Sequence, residues 1–414
     1  MQFLYNIDIG LADLFLPIIA LFSSKMKRSH LGRKETFSKL KHNISSSDSV
    51  IWIHCASLGE FEQGRPIIEH LAIEYPNDKI VLSFFSPSGY EVRKDYDKVA
   101  AVVYLPLDTK KKTSHFLEIL NPRLAIFVKY EIWPNILQEL SKRRIKTIII
   151  SGIFRKEQHF FSKNNNWYRK PLDAFAHFFV QDQNSVALLK SIGFENTTVS
   201  GDTRFDRVFE LVSQREKLDF LEDFTSGKHT LVAGSTWDKD ELLLADYINT
   251  QALENEVFIF APHNIKQEGI QRLIKQIKGN VVLYSKATNT AIATAQVLII
   301  DSVGKLTSVY AYADVAYVGG GFGTGIHNIL EPATYGIPIV IGPKYDKFKE
   351  AKDLITTGAC VVVQDQKDLN KTLNEFKTNT EILTKKGNLA LQYIKDNIGA
   401  SDLIFNWIKV NAKH

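Results

Sequence analysis

Past residue 48 the chain alternates short apolar runs with longer stretches whose apolar positions recur at helical spacing. The apolar runs are continuous rather than alternating, which is typical of strands buried on both faces of a parallel sheet. We therefore predict two sets of parallel strands covered by helices. They lie at residues 50–55, 79–85, 99–105, 123–128, 146–151, 176–180, 230–234, 256–261, 280–285, 296–301, 314–318, 337–341 and 359–363.

The strand pattern lapses and the charge density rises around residues 205–229, which indicates a boundary between two domains. Both domains are expected to be α/β, each a doubly wound (Rossmann-like) parallel sheet, and to face each other across a cleft. The predicted organisation is a first domain over residues 31–210, a linker over 211–228, a second domain over 229–390, and a C-terminal helix over 391–414 that packs back on the first domain.

The N-terminal residues form a largely apolar stretch that polar residues interrupt. A spanning helix needs ~20 apolar residues, and a central Asp costs roughly 3 kcal/mol on insertion scales. The stretch also lacks the basic start of a secretory signal. We expect residues 1–30 to be a membrane-associated apolar helix with a basic cluster; the alternative is a helix packed on the protein's own core, and spanning and surface-lying helices both remain open. The interrupting residues are Asn6, Asp8 and Asp13, and the basic ones are Lys25, Lys27, Arg28, Arg33 and Lys34.

Composition and charge narrow the class of protein. A chain of 414 residues is too long for one hydrophobic core, and contents of 44% hydrophobic and 23% charged residues are those of a globular protein. A net charge of +5 suits phosphate-bearing ligands or an anionic membrane surface, and is not by itself a nucleic-acid signature. Cys55 and Cys360 both lie in apolar runs, so we expect two core residues and a reducing compartment.

Carboxylates follow two strands of the first predicted domain, where ligands of open α/β sheets bind. The segment "CASLGE" brings Ser57, Gly59 and then Glu60 to the start of a helix, and "FVKYEIWPN" places Glu131 after another strand. Glu60 could simply stabilise the helix through its dipole, by ~0.3–1 kcal/mol. It could instead be a general base for an acceptor hydroxyl. Glu131 has the corresponding alternative of an ordinary loop carboxylate.

Phosphate-binding chemistry is indicated at strand ends of the second predicted domain. Ser235 and Thr236 directly follow a strand, where backbone N–H groups and hydroxyls can hold a phosphate. Asp238 and Glu241 fit a variant of the helix capping box in the next turn. His263 ends another strand in "IFAPHN", where it is either structural or a contact to a phosphate or a base.

A glycine-rich segment, "VGGGFGTGIHNILEPA", follows a later strand. Its spacing does not match the dinucleotide fingerprint. Gly320 and Gly321 leave room for a phosphate, and the segment continues to His327, Asn328 and Glu331. Asn328 and Glu331 lie one helical turn apart and share a face, so that the carboxylate could accept both hydroxyls of a ribose. We favour nucleotide binding over a glycine loop with an Asn cap.

The order of these segments resembles that of a known family. "WIHCASLGE", "YEIWPN", "GDTRFD", "AGSTW", "APH", "ADVAYVGGGF", "HNILEPA" and "GPKYDKFKEA" occur as in the 3-deoxy-D-manno-octulosonic acid (Kdo) transferases. These are GT-B-type glycosyltransferases of lipopolysaccharide assembly. The resemblance covers essentially the whole chain, and the combination of S-x-G-E, E-x-W-P-N and H-N-x-x-E is specific where no single motif would be.

The resemblance implies transfer of Kdo from CMP-Kdo to a lipid A precursor (lipid IVA-like) at the cytoplasmic face of the inner membrane. The reaction would be inverting and metal-independent, with no cofactor beyond the donor substrate and no nucleic-acid partner. Glu60 would be the general base, Glu131 a second catalytic carboxylate, and Ser57 and Gly59 would lie on the acceptor side. The donor-binding residues would be Ser235, Thr236, His263, Gly320, Gly321, His327, Asn328 and Glu331.

Two other classes compete with this interpretation. A GT-B-type sugar-nucleotide epimerase, such as a UDP-N-acetylglucosamine 2-epimerase, would share the fold but would be soluble, against which the apolar N-terminus counts. A catalytically dead, membrane-associated nucleotide-binding protein would not be expected to retain both Glu60 and Glu131 together with a complete H-N-x-x-E motif.

Overall fold

The computed structural model describes residues 1–162 and 166–412, except the side chains of Asn166 and Asn289. The chain divides into two compact units. Unit 1 comprises residues 1–207 and 398–414, and unit 2 comprises residues 208–397. Each unit contains a seven-stranded sheet in which the paired strands are parallel, so the predicted doubly wound α/β architecture is confirmed.

The sheet of unit 1 has the strand order β3-β2-β1-β4-β5-β6-β7. Its strands are β1 (Val50–Cys55), β2 (Lys79–Phe84), β3 (Ala101–Tyr104), β4 (Leu124–Val128), β5 (Lys146–Gly152), β6 (His177–Val180) and β7 (Thr197–Val199). The helices are α1 (Gln2–Phe22), α2 (Ser24–Asn43), α3 (Leu58–Glu74), α4 (Pro87–Arg93), α5 (Lys110–Leu120), α6 (Pro134–Lys142), α7 (Asn166–Arg169), α8 (Gln183–Lys190) and α9 (Arg204–Ser213), with 3-10 turns at His159–Phe161 and Lys170–Ala174.

The sheet of unit 2 has the order β10-β11-β9-β8-β12-β13-β14. Its strands are β8 (His229–Thr236), β9 (Glu256–Pro262), β10 (Val281–Leu283), β11 (Val297–Ile299), β12 (Val315–Val318), β13 (Ile339–Ile341) and β14 (Cys360–Val362). The helices are α10 (Asp219–Thr225), α11 (Asp238–Thr250), α12 (Gln267–Gln276), α13 (Asn289–Ala293), α14 (Leu306–Tyr310), α15 (Leu330–Thr334), α16 (Lys349–Thr357), α17 (Gln366–Thr378) and α18 (Thr380–Lys395), with a 3-10 turn at Tyr284–Lys286; α19 (Ala400–Asn411) belongs to unit 1.

Every predicted strand is present, because continuous apolar runs become strands with both faces buried. All six residues of β1 are buried. The sequence reading missed β7, a three-residue edge strand whose Thr-Thr-Val side chains are only partly buried. The predicted linker over 211–228 includes the end of α9 and all of α10, and the chain returns to unit 1 at residue 398 rather than 391.

Each sheet reverses its strand order at one point. In unit 1 the reversal lies between β1 and β4, and in unit 2 between β8 and β12. Loops that leave the two strands at such a point diverge and open a crevice outside the carboxyl ends of the strands, where ligands bind. Glu60 follows β1 and Glu131 follows β4, while Ser235 ends β8 and the glycine-rich segment follows β12.

Helix α19 completes the core of unit 1. Its apolar face brings Ile404, Phe405 and Ile408 into the same cluster as Ile67 and Leu71 of α3. The Phe405 ring also lies edge-on to His70, with ring centroids 5.4 Å apart. The last helix in sequence is thereby part of the first folded unit.

We expect Ile404→Ala to lower the free energy of unfolding of unit 1 by about 2–5 kcal/mol, because Ile404 is fully buried and the substitution leaves a cavity. The neighbouring exposed Leu403→Ala is the matched control and should change it by less than about 0.5 kcal/mol. Urea unfolding followed by tryptophan fluorescence measures the difference. Equal effects of the two substitutions would contradict the packing of α19. Four tryptophans report on unit 1: Trp52, Trp133, Trp167 and Trp407.

Candidate functional site

Glu60 is a buried carboxylate in the first turn of α3. Its Oε2 accepts a hydrogen bond from the backbone N–H of Ala56 at the end of β1. Burial and, to a smaller extent, the charge of Glu131 raise the pKa of Glu60 to about 7, against the lowering effects of the Ala56 and Ser57 N–H groups and of Lys129. A carboxylate with a pKa near neutrality is suited to accept a proton from a hydroxyl.

Ser57 and Gly59 frame this carboxylate. Ser57 is the N-cap of α3, and its backbone N–H is one of the donors that lower the pKa of Glu60. A Cβ added at Gly59 would meet no atom within 4 Å, so open space lies beside the helix start at this position. The turn therefore leaves room for a ligand one residue from the Glu60 backbone.

Glu131 lies between two aromatic residues that fix its position. Its Oε2 accepts a hydrogen bond of 3.0 Å from Trp133 Nε1 and lies 3.9 Å from Nε2 of His54. His54 is fully buried in β1, and within the described part of the chain its Nε2 makes no hydrogen bond. Its Nδ1 lies 2.9 Å from Ser83 Oγ, which also accepts from Trp52 Nε1.

The sequence reading overlooked His54. Nδ1 also lies 3.2 Å from the Ser83 carbonyl oxygen, and Nε2, on the other side of the ring, faces the Glu131 carboxylate. The available signal was a histidine in the middle of an otherwise apolar strand, "VIWIHC", where a polar side chain needs a partner.

Asp240 holds together the loops at the point where the strand order of unit 2 reverses, between β8 and β12. Its buried carboxylate accepts hydrogen bonds from the Trp237 N–H at 2.9 Å, the Gly320 N–H at 2.8 Å and the Tyr317 hydroxyl at 2.8 Å. Burial raises the pKa of Asp240, and these donors oppose the shift. The predicted Asp238–Glu241 capping box is therefore wrong, because α11 begins one residue earlier in register and Asp240 bonds back to Trp237.

Two groups predicted to meet a phosphate already have protein partners. The Gly320 N–H is used by Asp240, and the Thr236 hydroxyl, which is buried, donates to Glu241 at 3.1 Å. The end of β8 instead shows backbone strain, with Ser235 at φ +52°. A Cβ added at Gly319 would lie 2.4 Å from the Ser235 carbonyl oxygen, so only glycine permits this approach of β12 to β8.

His263 and His327 come together in a three-ring stack with Trp237. The ring centroids of Trp237 and His263 lie 4.5 Å apart, and those of His263 and His327 lie 4.4 Å apart. Trp237 Nε1 donates to His327 Nε2 at 2.9 Å, which requires that nitrogen to be unprotonated. Burial lowers the pKa of His327, as does the neighbouring His263. Trp237 belongs to the "AGSTW" segment but was not among the predicted site residues.

Asn328 and Glu331 face the same way, as their spacing indicated. Asn328 Nδ2 donates to Glu331 Oε1 at 2.8 Å, and Thr307 Oγ1 donates to Oε2 at 2.9 Å. Asn328 Oδ1 accepts from the Leu330 N–H at 3.1 Å, although the N-cap of α15 is Ile329. The Asn cap considered as an alternative is therefore not formed, and the role of the Glu331 carboxylate toward a ribose stays a prediction.

A cavity of about 440 Å³ opens beside the start of α11. Thr236 and Trp237 line this cavity. Lys266, Arg272 and Thr324, which were not among the predicted site residues, line it as well. The volume lies within the roughly 300–1,000 Å³ of small-molecule sites. Asn328 and Glu331 are not part of its lining. Among residues 1–162 and 166–412, no group of three or more His, Cys, Asp or Glu is arranged to hold a metal ion.

The raised pKa of Glu60 makes the stability of unit 1 depend on pH. The folded state holds a proton between the unfolded pKa of 4.5 and the folded pKa of about 7, so the Glu60 contribution to stability falls as pH rises through this window. We expect Glu60→Gln to raise the urea midpoint relative to wild type at pH 8 but not at pH 4.5. Glu62→Gln, two residues further along α3 and paired with Arg93, is the matched control. A gain for Glu60→Gln that is equal at both pH values would contradict the assignment.

Asp240→Asn should loosen the glycine-rich segment, because one amide oxygen cannot replace a carboxylate that accepts three hydrogen bonds. We expect hydrogen exchange at the Gly320 amide to accelerate by at least ~10-fold, the scale of a lost charged hydrogen bond. Asp238→Asn is the matched control, since Asp238 is exposed and pairs with Arg272. Exchange–mass spectrometry of peptides covering residues 315–326 makes the measurement, and unchanged exchange in Asp240→Asn would refute the role of this carboxylate.

Comparison with known proteins gives a consistent set of relatives. The family model described as 3-deoxy-D-manno-octulosonic-acid transferase (kdotransferase) matches residues 28–207. A 3-deoxy-D-manno-octulosonic acid transferase of Haemophilus influenzae is 25% identical over 96% of this chain and 95% of its own. A bifunctional glycosyltransferase/methyltransferase of Fusobacterium nucleatum is 26% identical over 97% of this chain, which spans 65% of that relative's length.

The fold has relatives of lower sequence similarity. A UDP-GlcNAc 2-epimerase from Neisseria meningitidis, solved with UDP-GlcNAc bound, matches 88% of this chain and 100% of its own, with a TM-score of 0.59 and 13% identity. At that identity the match supports the two-sheet fold alone. The family model and the relatives aligned along nearly the whole sequence show that the chain is similar to the Kdo transferases over almost its whole length.

Proposed function

We propose that this protein transfers Kdo from CMP-Kdo to a lipid A precursor in lipopolysaccharide biosynthesis. The observation that carries the proposal is Glu60. It is a buried carboxylate with a pKa of about 7, and it lies where the strand order of unit 1 reverses, between β1 and β4. The similarity to Kdo transferases supports the class of donor and acceptor. Kdo transfer needs a base on the acceptor side. Asp108, which follows β3, is also buried with a raised pKa, but its carboxylate already accepts hydrogen bonds from the Tyr5 hydroxyl and from the N–H groups of Asn135 and Ile136.

The proposed reaction is a single inverting displacement. Glu60 removes the proton from the acceptor hydroxyl as the oxygen attacks the anomeric carbon of Kdo, and the bond from that carbon to the CMP phosphate oxygen breaks. CMP leaves as a phosphate monoester, which needs little protonation. Glu131, held by Trp133 and close to His54, keeps a negative charge near Glu60 and so raises the basicity of the base. No metal is needed in this scheme.

The proposed donor site lies where the strand order of unit 2 reverses, between β8 and β12. Glu331, oriented by Asn328 and Thr307, would accept the ribose hydroxyls of CMP. His263 and His327 would lie beside the phosphate, together with backbone at Ser235 and Gly321. Their stack with Trp237 fixes the ring orientations before substrate binds, which reduces the entropic cost of binding. Gly320 and Thr236 would contribute through shape, since their donors are engaged.

The contacts between the Glu131 segment and the two N-terminal helices support a lipid acceptor. Trp133 packs on Phe85, with ring centroids 4.7 Å apart, and Arg33 of α2 lies over the Phe85 ring at 4.7 Å. Asn135 of the same E-x-W-P-N segment donates to Asn6 of α1 at 2.9 Å. The apolar N-terminal helix and the basic helix after it thus border the carboxylate site. This fits an acceptor in the cytoplasmic leaflet of the inner membrane.

The test is release of CMP from CMP-Kdo with a tetra-acylated lipid A precursor. We expect acceptor-dependent release that falls by ~10²-fold or more in Glu60→Gln, the scale of a lost general base. Glu62→Gln is the matched control and should retain activity, and EDTA should not change the rate. Equal release by wild type and Glu60→Gln would remove Glu60 from catalysis. No release by wild type, with turnover of UDP-N-acetylglucosamine instead, would replace the transferase by an epimerase.

A further inference from the structure

Helix α1 has an inverted amphipathic arrangement. The face toward unit 1 repeats at helical spacing and carries most of the polar residues of the helix, and the opposite face is almost entirely apolar and exposed. The inner face comprises Gln2, Tyr5, Asn6, Ile9, Gly10, Asp13, Leu16 and Ala20. The exposed large apolar residues are Phe3, Leu4, Ile7, Leu11, Leu14, Phe15, Ile18, Ile19, Leu21 and Phe22.

Hydrogen bonds from side chains tie the inner face to the body of unit 1. Tyr5 donates to Asp108 at 2.7 Å, and Asn6 accepts from Asn135 at 2.9 Å. Gln2 bonds to Gln138 of α6, and Asp13 pairs with Lys112 of α5. Asp108 in turn accepts from the backbone N–H groups of Asn135 and Ile136 at the start of α6.

These contacts extend along nearly the whole helix. Gln2 is the first residue of α1, and Leu16 and Ala20, in its last two turns, are buried against the rest of the unit. A helix of this length rises about 30 Å, enough to cross a bilayer, but only if it leaves the protein. Leaving would expose Asp13, Asn6 and Tyr5 to hydrocarbon, where unpaired polar groups cost several kcal/mol each.

By length and composition α1 is the one helix among the described residues that could span a membrane. We infer that it does not span but lies flat in the interface of one leaflet, its polar face on unit 1 and its apolar face in lipid. This rests on the membrane association proposed above but not on the reaction. Asp8 fits the flat position, since it is the only charged residue on the outer face of α1 and an interface accommodates charge better than the bilayer centre.

Basic residues of the adjoining helix α2 favour a membrane over a second protein copy. Lys25, Lys27, Arg28 and Lys34 of α2 are exposed, and Leu31 among them is an exposed apolar residue. An apolar helix with adjoining cations matches a leaflet of anionic lipid, where each basic residue near the surface adds attraction. A second copy would place the same positive charges against one another.

Depth measurements on the full chain distinguish the two geometries. Leu4→Cys, Leu11→Cys and Ile18→Cys lie on the outer face at seven-residue intervals, about 10 Å apart along the helix. Both native cysteines are buried, so a nitroxide label will report the introduced position. The protein is bound to vesicles of phosphatidylethanolamine that contain phosphatidylglycerol as the anionic lipid. Oxygen and nickel-chelate accessibility then give the depth of each label.

Equal, shallow depths of ~5–10 Å at all three positions are expected for a flat helix. A label at Leu11 that is much deeper than those at Leu4 and Ile18 would overturn the inference in favour of a spanning helix. The membrane would be overturned as the partner if the protein failed to bind vesicles and instead self-associated in sedimentation. Leu11→Glu would then abolish this self-association. Kdo transfer measured separately would be unaffected by which of these outcomes holds, so the two proposals fail independently.

A charge variant adds a second readout that does not depend on folding of α1. Changing Lys25, Lys27, Arg28 and Lys34 to Ser should weaken binding by at least ~10-fold on anionic vesicles and leave binding to zwitterionic vesicles nearly unchanged. The matched control changes Lys367, Lys371, Lys385 and Lys395 of unit 2 to Ser, with the same loss of charge. Equal loss in both variants would show that net charge, rather than this surface, attracts the membrane and would overturn the role of α2.

Discussion

The reversal of strand order in each parallel sheet is the constraint on which both sites depend. At the reversal, loops leave neighbouring strands in opposite directions and cannot cover each other, so the ends of β1 and β4, and of β8 and β12, stay open. Every residue with a proposed chemical role follows one of these strands or the adjacent β9. The helices and cores hold the strand ends in place, and the chemistry is set by the first few residues after each strand.

The pattern of apolar runs was sufficient for the architecture because burial on both faces leaves a plain signal. It failed for β7, whose Thr-Thr-Val residues are held at a sheet edge by pairing with β6 and not by burial. A C-terminal helix packing back on the first domain was predicted from the sequence, and α19 lies in unit 1, packed against α3. Charge density placed the domain boundary within residues 205–229, and the two units divide between residues 207 and 208.

The candidate site was predictable at the level of residue types and less so at the level of partners. Glu60, Glu131, Asn328 and Glu331 could be chosen because a carboxylate or amide after a strand stands out. The sequence could not reveal that Asp240, and not Asp238 or Glu241, bonds to both the helix start and Gly320. Nor could it reveal that Nε2 of His54, inside β1, faces Glu131. The Asp240–Gly320 and His54–Glu131 contacts each join residues that are distant in sequence.

The inverted amphipathicity of α1 makes its apolar surface a property of the folded protein. Tyr5, Asn6 and Asp13 are hidden only while Asp108, Asn135 and Lys112 hold them. In an unfolded chain the same segment would turn polar and apolar groups alike toward solvent. Attachment to a bilayer would then select for folded protein. Only a chain in which the first sheet and α6 have already formed presents a continuous apolar surface on α1.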